Sequence, residues 1–307
     1  MQRNTLLTLC AAAVVATSAL GLATARPAKP ASLGSPTNWT SGDATNPERW
    51  HEDNNWSNGI PAAGDTVNIK TMSKPGNYQD PVLSTADGAA GDLTIGNGFT
   101  LTVTGVTLSL NLAVTHDIDG DLFLSNSSSK LEFKTNHATV GGDGAIVGQD
   151  NSAEIRIADD KTLTNEMIIS GNMTILDAGT SGTFVNGATG TVLANGNPNT
   201  SGSAEILTIA SGLTFDDADT GTPKWEATTD ADAVLQFDVG ASCLDGDFVI
   251  SGCATLKLDG VTIKTKGNVT KTAGEIVLAN SAALVKQINA DCTGGTSVSA
   301  GTFGDCP

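Results

Sequence analysis

A chain of 307 residues with 39% hydrophobic, 16% charged and 4% aromatic residues is too apolar for plain disorder. Its 35 glycines, with abundant Thr, Ser, Asn and Asp, suit short strands and turns better than helices. A formal charge of −17 argues against nucleic acid and anionic polymers as partners unless metal ions bridge them, and it favours solubility and the attraction of cations.

Residues 1–25 read as a signal peptide: Arg3 gives a positive start, Leu6 to Leu22 is mostly apolar, and Ala23-Thr24-Ala25 offers a small-x-small cleavage site before Arg26. The competing membrane anchor is disfavoured because Thr17, Ser18 and Gly21 interrupt a run of marginal length. Cleavage would remove Arg3 and no acidic residue, leaving a charge of −18. Residues 26–37 carry three prolines and read as a flexible leader.

Residues 38–80 form a distinct block holding Trp39, Trp50 and Trp56. Over the open end of a stacked structure, bulky rings would cover apolar faces and unpaired strand edges. Their alternative role is a ligand-binding platform on which sugars stack. The run Asn55-Trp56-Ser57-Asn58-Gly59-Ile60-Pro61, continued by Gly64-Asp65-Thr66-Val67-Asn68-Ile69, resembles the opening of secreted bacterial proteins built from autotransporter passenger-type β-helical repeats. The resemblance implies a right-handed parallel β-helix that this segment caps. The chain departs from the autotransporter pattern after residue 280, where it leaves no room for a membrane β-barrel.

From 81 to 280 short alternating segments follow one another, among them Phe99–Val103, Val106–Leu110, Leu131–Lys134, Glu154–Ile157, Ala204–Ile209, Thr255–Leu258 and Glu275–Leu278. Period-two alternation is that of half-buried strands. A pattern of Gly, then Asp or Asn, then apolar-polar-apolar recurs at Gly91-Asp92-Leu93-Thr94-Ile95, Gly120-Asp121-Leu122-Phe123-Leu124, Gly171-Asn172-Met173-Thr174-Ile175 and Gly246-Asp247-Phe248-Val249-Ile250. A shorter copy reads Gly267-Asn268-Val269-Thr270. Turn-plus-strand units repeated this often must stack on one another to bury their apolar sides. Read as whole coils, the intervals give a coil of about 21–29 residues and roughly eight or nine coils. The fold class is therefore all-β, a single right-handed parallel β-helix; a pair of β-sandwiches is the alternative. Ala282 to Ile288 reads as one short capping helix.

Residues 281–307 read as a C-terminal cap and tail. Cys243, Cys253, Cys292 and Cys306 remain after cleavage, and an even number in a secreted chain suggests disulfides. Sequence proximity favours Cys243–Cys253 and Cys292–Cys306 among the three connectivities.

Chemistry is sparsely signalled. Asp217-x-Asp219 and Asp230-x-Asp232, inside an acidic stretch with Asp216, Glu226 and Asp238, have the spacing of calcium ligands, so calcium is the one cofactor considered; a solvated loop is the plainer reading. Asp117 to Asp121 looks like a calcium loop but places Gly120 ahead of its third Asp. Of His51, His116 and His137, the first two sit beside acids, Glu52 and Asp117, but adjacent residues on a strand point to opposite faces and form no dyad. No catalytic residue is assigned: after cleavage only Arg26, Arg49 and Arg156 remain as arginines, and no nucleophile-elbow, zinc-protease or phosphate-loop motif occurs. Thr100-Leu101-Thr102 would suit an ice-binding face if it recurred on every coil, but later strands carry Glu132, Lys134 and Arg156. The sequence points to a non-enzymatic extracellular structural or adhesive solenoid. Its expected partners are cell-surface or matrix glycans or proteins, and self-association is an additional expectation. A carbohydrate-binding or polysaccharide-degrading β-helix with an acidic groove is the alternative.

Overall fold

The computed structural model describes residues 34, 36–70, 78–112, 115–195, 205–218, 220–228, 233–286 and 296–303, without the side chains of 242, 243 and 301–303. The signal-peptide reading, most of the leader, Cys292 and Cys306 lie outside them. The fold is an all-β parallel solenoid of the right-handed type, with about nine turns. Each turn contributes one strand to each of three faces.

Face 1 begins with Thr37–Asn38, Thr66–Ile69, Asp92–Ile95 and Thr115–Ile118. It continues through 139–141, 162–165, Thr183–Asn186 and Thr214–Asp217. There the ladder is interrupted, and Ala241–Leu244, Thr262–Thr265 and Ala283–Lys286 continue in a separate sheet. Face 2 runs from Val82–Leu83 through Thr100–Val103, Asp121–Leu124, 145–148, 168–170, Thr191–Ala194, Lys224–Ala227 and Asp247–Ile250 to Val269–Lys271. Face 3 runs from Gly88–Ala90 through Thr107–Leu110, Lys130–Phe133, 154–157, 173–177, Glu205–Ile209, Ala233–Phe237 and Thr255–Asp259 to Gly274–Ala279.

The alternation in sequence becomes inside and outside. Leu101, Val103, Leu122, Leu124, Ile146, Ile155 and Ile175 are buried, while the residues between them face out. Turn length is uneven because the corners vary: Gly88 lies beside Leu108, 20 residues on, whereas Met173 lies beside Leu207, 34 residues on. A later part of the stack holds an aromatic cluster. Trp225 has its ring centroid 5.2 Å from Phe215 and 5.5 Å from Phe237 in edge contacts.

Three findings revise the sequence reading. The parallel stack already includes Thr37–Asn38 and Thr66–Ile69, ahead of residue 81 where alternation becomes legible. The expected helix over 282–288 is a strand, Ala283–Lys286, whose Leu284 stacks inward on Ile263; burial in register overrides helix propensity. The Gly-Asx pattern marks strand entry but not one phase. Gly91 precedes face 1, Gly171 precedes face 3, and Gly120, Gly246 and Gly267 precede face 2. Intervals between them mix whole turns with fractions.

Two of the three faces are covered at each end among the described residues. Trp39 and Trp56 form an antiparallel bridge at the outer edge of face 1, and their rings meet edge-on at 4.9 Å. The Trp56 Nε1–H donates to the Trp50 carbonyl at 2.7 Å, and the Trp50 N–H donates to Val82 O, closing face 2. At the other end the chain reverses: Thr296–Val298 pairs antiparallel on face 1, and Gly301–Phe303 does so on face 3. These pairings occupy edges that would otherwise recruit another chain.

The corner between faces 1 and 2 explains the glycines. A Cβ on Gly144 would lie 1.7 Å from the Gly120 carbonyl oxygen, and one on Gly267 would lie 2.0 Å from that of Gly246. Backbone stacks on backbone here, and no side chain fits. Gly144→Val is expected to cost about 3 kcal/mol or more, because the clash is with main chain. Gly212→Ala, at φ +97° but with open space around it, should cost only about 1 kcal/mol in strain. Thermal melts of the two variants check the ordering; equal losses would refute the corner argument.

Candidate functional site

The acidic side chains are placed by the corners. A parallel ladder leaves some backbone N–H groups without a carbonyl where the chain turns, and buried unpaired donors are costly. Here a carboxylate on one turn accepts from the backbone of the next. Asp119 Oδ1 accepts from the Asp143 N–H at 3.2 Å, Glu166 Oε2 from Thr189 at 2.9 Å, and Asp247 Oδ1 from Asn268 at 2.6 Å. Asp159 Oδ1 takes the Thr180 N–H and the Ser181 hydroxyl, and these bonds hold its carboxyl below the usual carboxylate range.

Asp217 is the fullest case. It is buried at the end of the Thr214–Asp217 strand, where the face 1 ladder is interrupted. Its two oxygens accept from the Asp245 and Gly246 N–H groups at 2.7 Å each, and the Trp225 Nε1–H lies 3.5 Å away. Burial pushes the carboxyl up despite those bonds. Asp217 thus ties one turn to the next where strand pairing fails. Asp219, Asp230 and Asp232, the other expected calcium ligands, lie outside the described residues. Among the described residues no three His, Cys, Asp or Glu side chains are grouped to hold a metal ion.

Behind Asp217 runs an inward polar column. The Asn165 side-chain amide donates to Asn186 Oδ1 at 2.9 Å, and Asn186 donates to the Lys224 carbonyl at 3.0 Å. Asn165, Asn186 and Asp217 are register partners on successive turns, so the column is a ladder inside the core. Lys286 continues the Thr265 position at the end of the stack and donates to the Lys266 and Gly267 carbonyls.

Trp39, Trp50 and Trp56 are 1%, 0% and 4% exposed, which leaves no open ring face for a sugar and favours the capping role. His116 is fully buried among Leu93, Val140 and Phe133, while Asp117 points outward, as strand alternation requires. Its Nδ1 accepts the Leu93 N–H at 3.2 Å, which places the ring proton on Nε2, and Nε2 has no partner. His51 lies between the Asp87 carbonyl at 3.2 Å and the Thr85 hydroxyl at 3.4 Å, and His137 is exposed. Cys253 occupies a turn at φ 66°; the side chains of its three expected disulfide companions lie outside the description.

A feature not apparent from sequence is a shallow groove of about 420 Å³ at the corner of faces 1 and 2, lined by Asp143, Glu166, Met167, Ile168 and Thr189. Glu166 already accepts from both the N–H and the hydroxyl of Thr189. Comparison with known protein families, with characterised proteins and with solved structures finds no match.

Burial holds the His116 pKa at about 4, against 6.5 for a free side chain. The unfolded chain therefore binds the extra proton first. Stability from this group is intact above pH 6.5 and is lost as pH falls from 6.5 to 4, by about 3 kcal/mol in all. His116→Leu should flatten that part of the acid-side loss, whatever its starting stability. Urea unfolding at intervals from pH 7 to pH 4 reads it, and parallel curves for the two proteins would exclude His116 as the titrating group.

Proposed function

We propose that the chain is a secreted, non-enzymatic β-solenoid acting as an extracellular or surface structural or adhesive protein. The observation that carries this reading is the employment of the polar groups. Asp119, Glu166, Asp217 and Asp247 each accept a backbone N–H from the following turn, so these carboxylates hold the stack together. A general acid or base needs an accessible proton and a neighbour that tunes it. His116 is sealed in the core, and Asp217 is enclosed by its donors. The signal-peptide pattern at 1–25 and the even number of cysteines after it support an extracellular setting.

The second reading is a carbohydrate-binding or polysaccharide-degrading solenoid. The corner groove with Asp143 and Glu166 is what favours it, with calcium as its possible cofactor only through residues beyond those described.

Incubating the purified protein with neutral and acidic polysaccharides, with and without calcium, separates the two. The first reading expects no new reducing or unsaturated sugar ends in either condition. Released ends that disappear in Glu166→Gln would replace it with an enzyme. Retention on bare cells or on insoluble matrix, without release, supports adhesion; neither retention nor self-association would count against it.

A further inference from the structure

The three faces carry different outward chemistry, and face 1 is the unusual one. Thr115, Thr139 and Thr164 are register partners on successive turns, followed by Val185 and the exposed Asp216, and the outward Asp117 and Glu166 lie two residues further along the same face. Two residues earlier on the same strands, Thr162, Thr183 and Thr214 form a second column, which His137 begins. These six threonines face outward on five consecutive turns. Strand propensity favours threonine on any exposed sheet surface. It does not account for the concentration on one face, since face 3 presents Lys130, Glu132, Glu154 and Arg156 over the same part of the stack, and face 2 presents Phe123, Val147 and Ile168.

The hydroxyls are also free. The charged groups of face 3 satisfy one another: Arg156 meets Glu154 at 2.5 Å, and Lys134 meets Glu132 at 2.9 Å. None of the six threonine hydroxyls bonds to another described protein group, and none is a buried atom, so each faces water. Each offers one donor and two acceptor sites. Their spacing is fixed by the solenoid, at about 4.8 Å between turns and about 6.6 Å along a strand.

A single exposed hydroxyl gains little by exchanging water for a mobile ligand. A rigid array gains when its ligand is rigid too and repeats at the same distances, because the contacts then form together and little order is lost. The ligand must be neutral, since the chain is strongly acidic. It must also be flat and rich in both donors and acceptors; the exposed large hydrophobic residues Ile60, Leu112 and Ile168 lie off this face. Hexagonal ice meets these conditions, and its surface repeats are close to both lengths. We propose that face 1, from Thr115 to Thr214, is an ice-binding surface. Thr100 and Thr102 lie on face 2 and Glu132 and Arg156 on face 3, so the charges of those later strands do not interrupt the threonines of face 1.

The test uses the full purified chain in ice-recrystallisation and ice-partition assays. Wild type should restrain crystal growth and enrich in a slowly grown ice fraction. Thr164→Tyr, at the centre of the array, should lower the activity about tenfold, equivalent to about 1.4 kcal/mol. Thr102→Tyr, the same change on face 2, should leave it unchanged, and circular dichroism should confirm that both variants fold. Thr164→Val keeps the shape and removes one hydroxyl, so it should fall between them. Exclusion of wild type from ice, or equal losses in Thr164→Tyr and Thr102→Tyr, overturns the proposal. Retention on insoluble neutral polysaccharide without any effect on ice also overturns it and assigns the face to glycans.

Discussion

Everything in this molecule depends on register between turns. A parallel solenoid satisfies its backbone only by pairing each strand with the turn before and the turn after, so one slipped residue would turn a face inside out. Along the faces the ladder does this unaided. At the corners it fails, and the sequence has two remedies. One is glycine, which lets carbonyls stack within a distance that excludes any Cβ, as at Gly120 and Gly144. The other is a side-chain acceptor that reaches forward one turn.

The second remedy gives the negative charge a structural cause. Asp119, Asp159, Glu166, Asp217 and Asp247 sit at corners and accept from the next turn. Charge-assisted bonds of this kind are stronger than neutral ones. Asn172 does the same work without a charge, taking the Ile206 N–H at 3.1 Å. Part of an acidic composition that invites a search for cations is thus met by the backbone itself. The ion pairs of face 3 add little, since partly exposed pairs of this type contribute about 0–1 kcal/mol.

Strand alternation was legible because its period is two wherever one side is buried, and Thr100–Val103 or Glu205–Ile209 fall where the pattern puts them. The tryptophan cap was legible because a solenoid end needs bulk. Phase was not legible. Corners vary in length, so a Gly-Asx entry at 91, 120 or 171 looks the same although each opens a different face. The strand at Ala283–Lys286 failed for a related reason: its short apolar run carries helix-forming residues, and only Ile263 beneath it decides the matter. The Asp217 role was also hidden, because its donors at Asp245 and Gly246 lie 28 and 29 residues away along the chain.

That loss of phase matters most for function, because a solenoid's outward chemistry is organised by face rather than by segment. Thr139 and Arg156 are close in sequence and lie on faces 1 and 3; Thr115 and Thr214 are far apart and share face 1. The inside is likewise divided, with Leu93, Val140 and Phe133 around His116 early in the stack and the Asn165–Asn186–Asp217 ladder later. Stability in such a stack is close to a sum over neighbouring turns. A residue facing outward on one face can therefore change with little effect on the others. Face 1 can hold a regular array of unpartnered hydroxyls because the register that positions them is secured elsewhere, by the core and the corners. Corners that employ carboxylates in holding the stack also leave the faces between them a rigid, repeating surface.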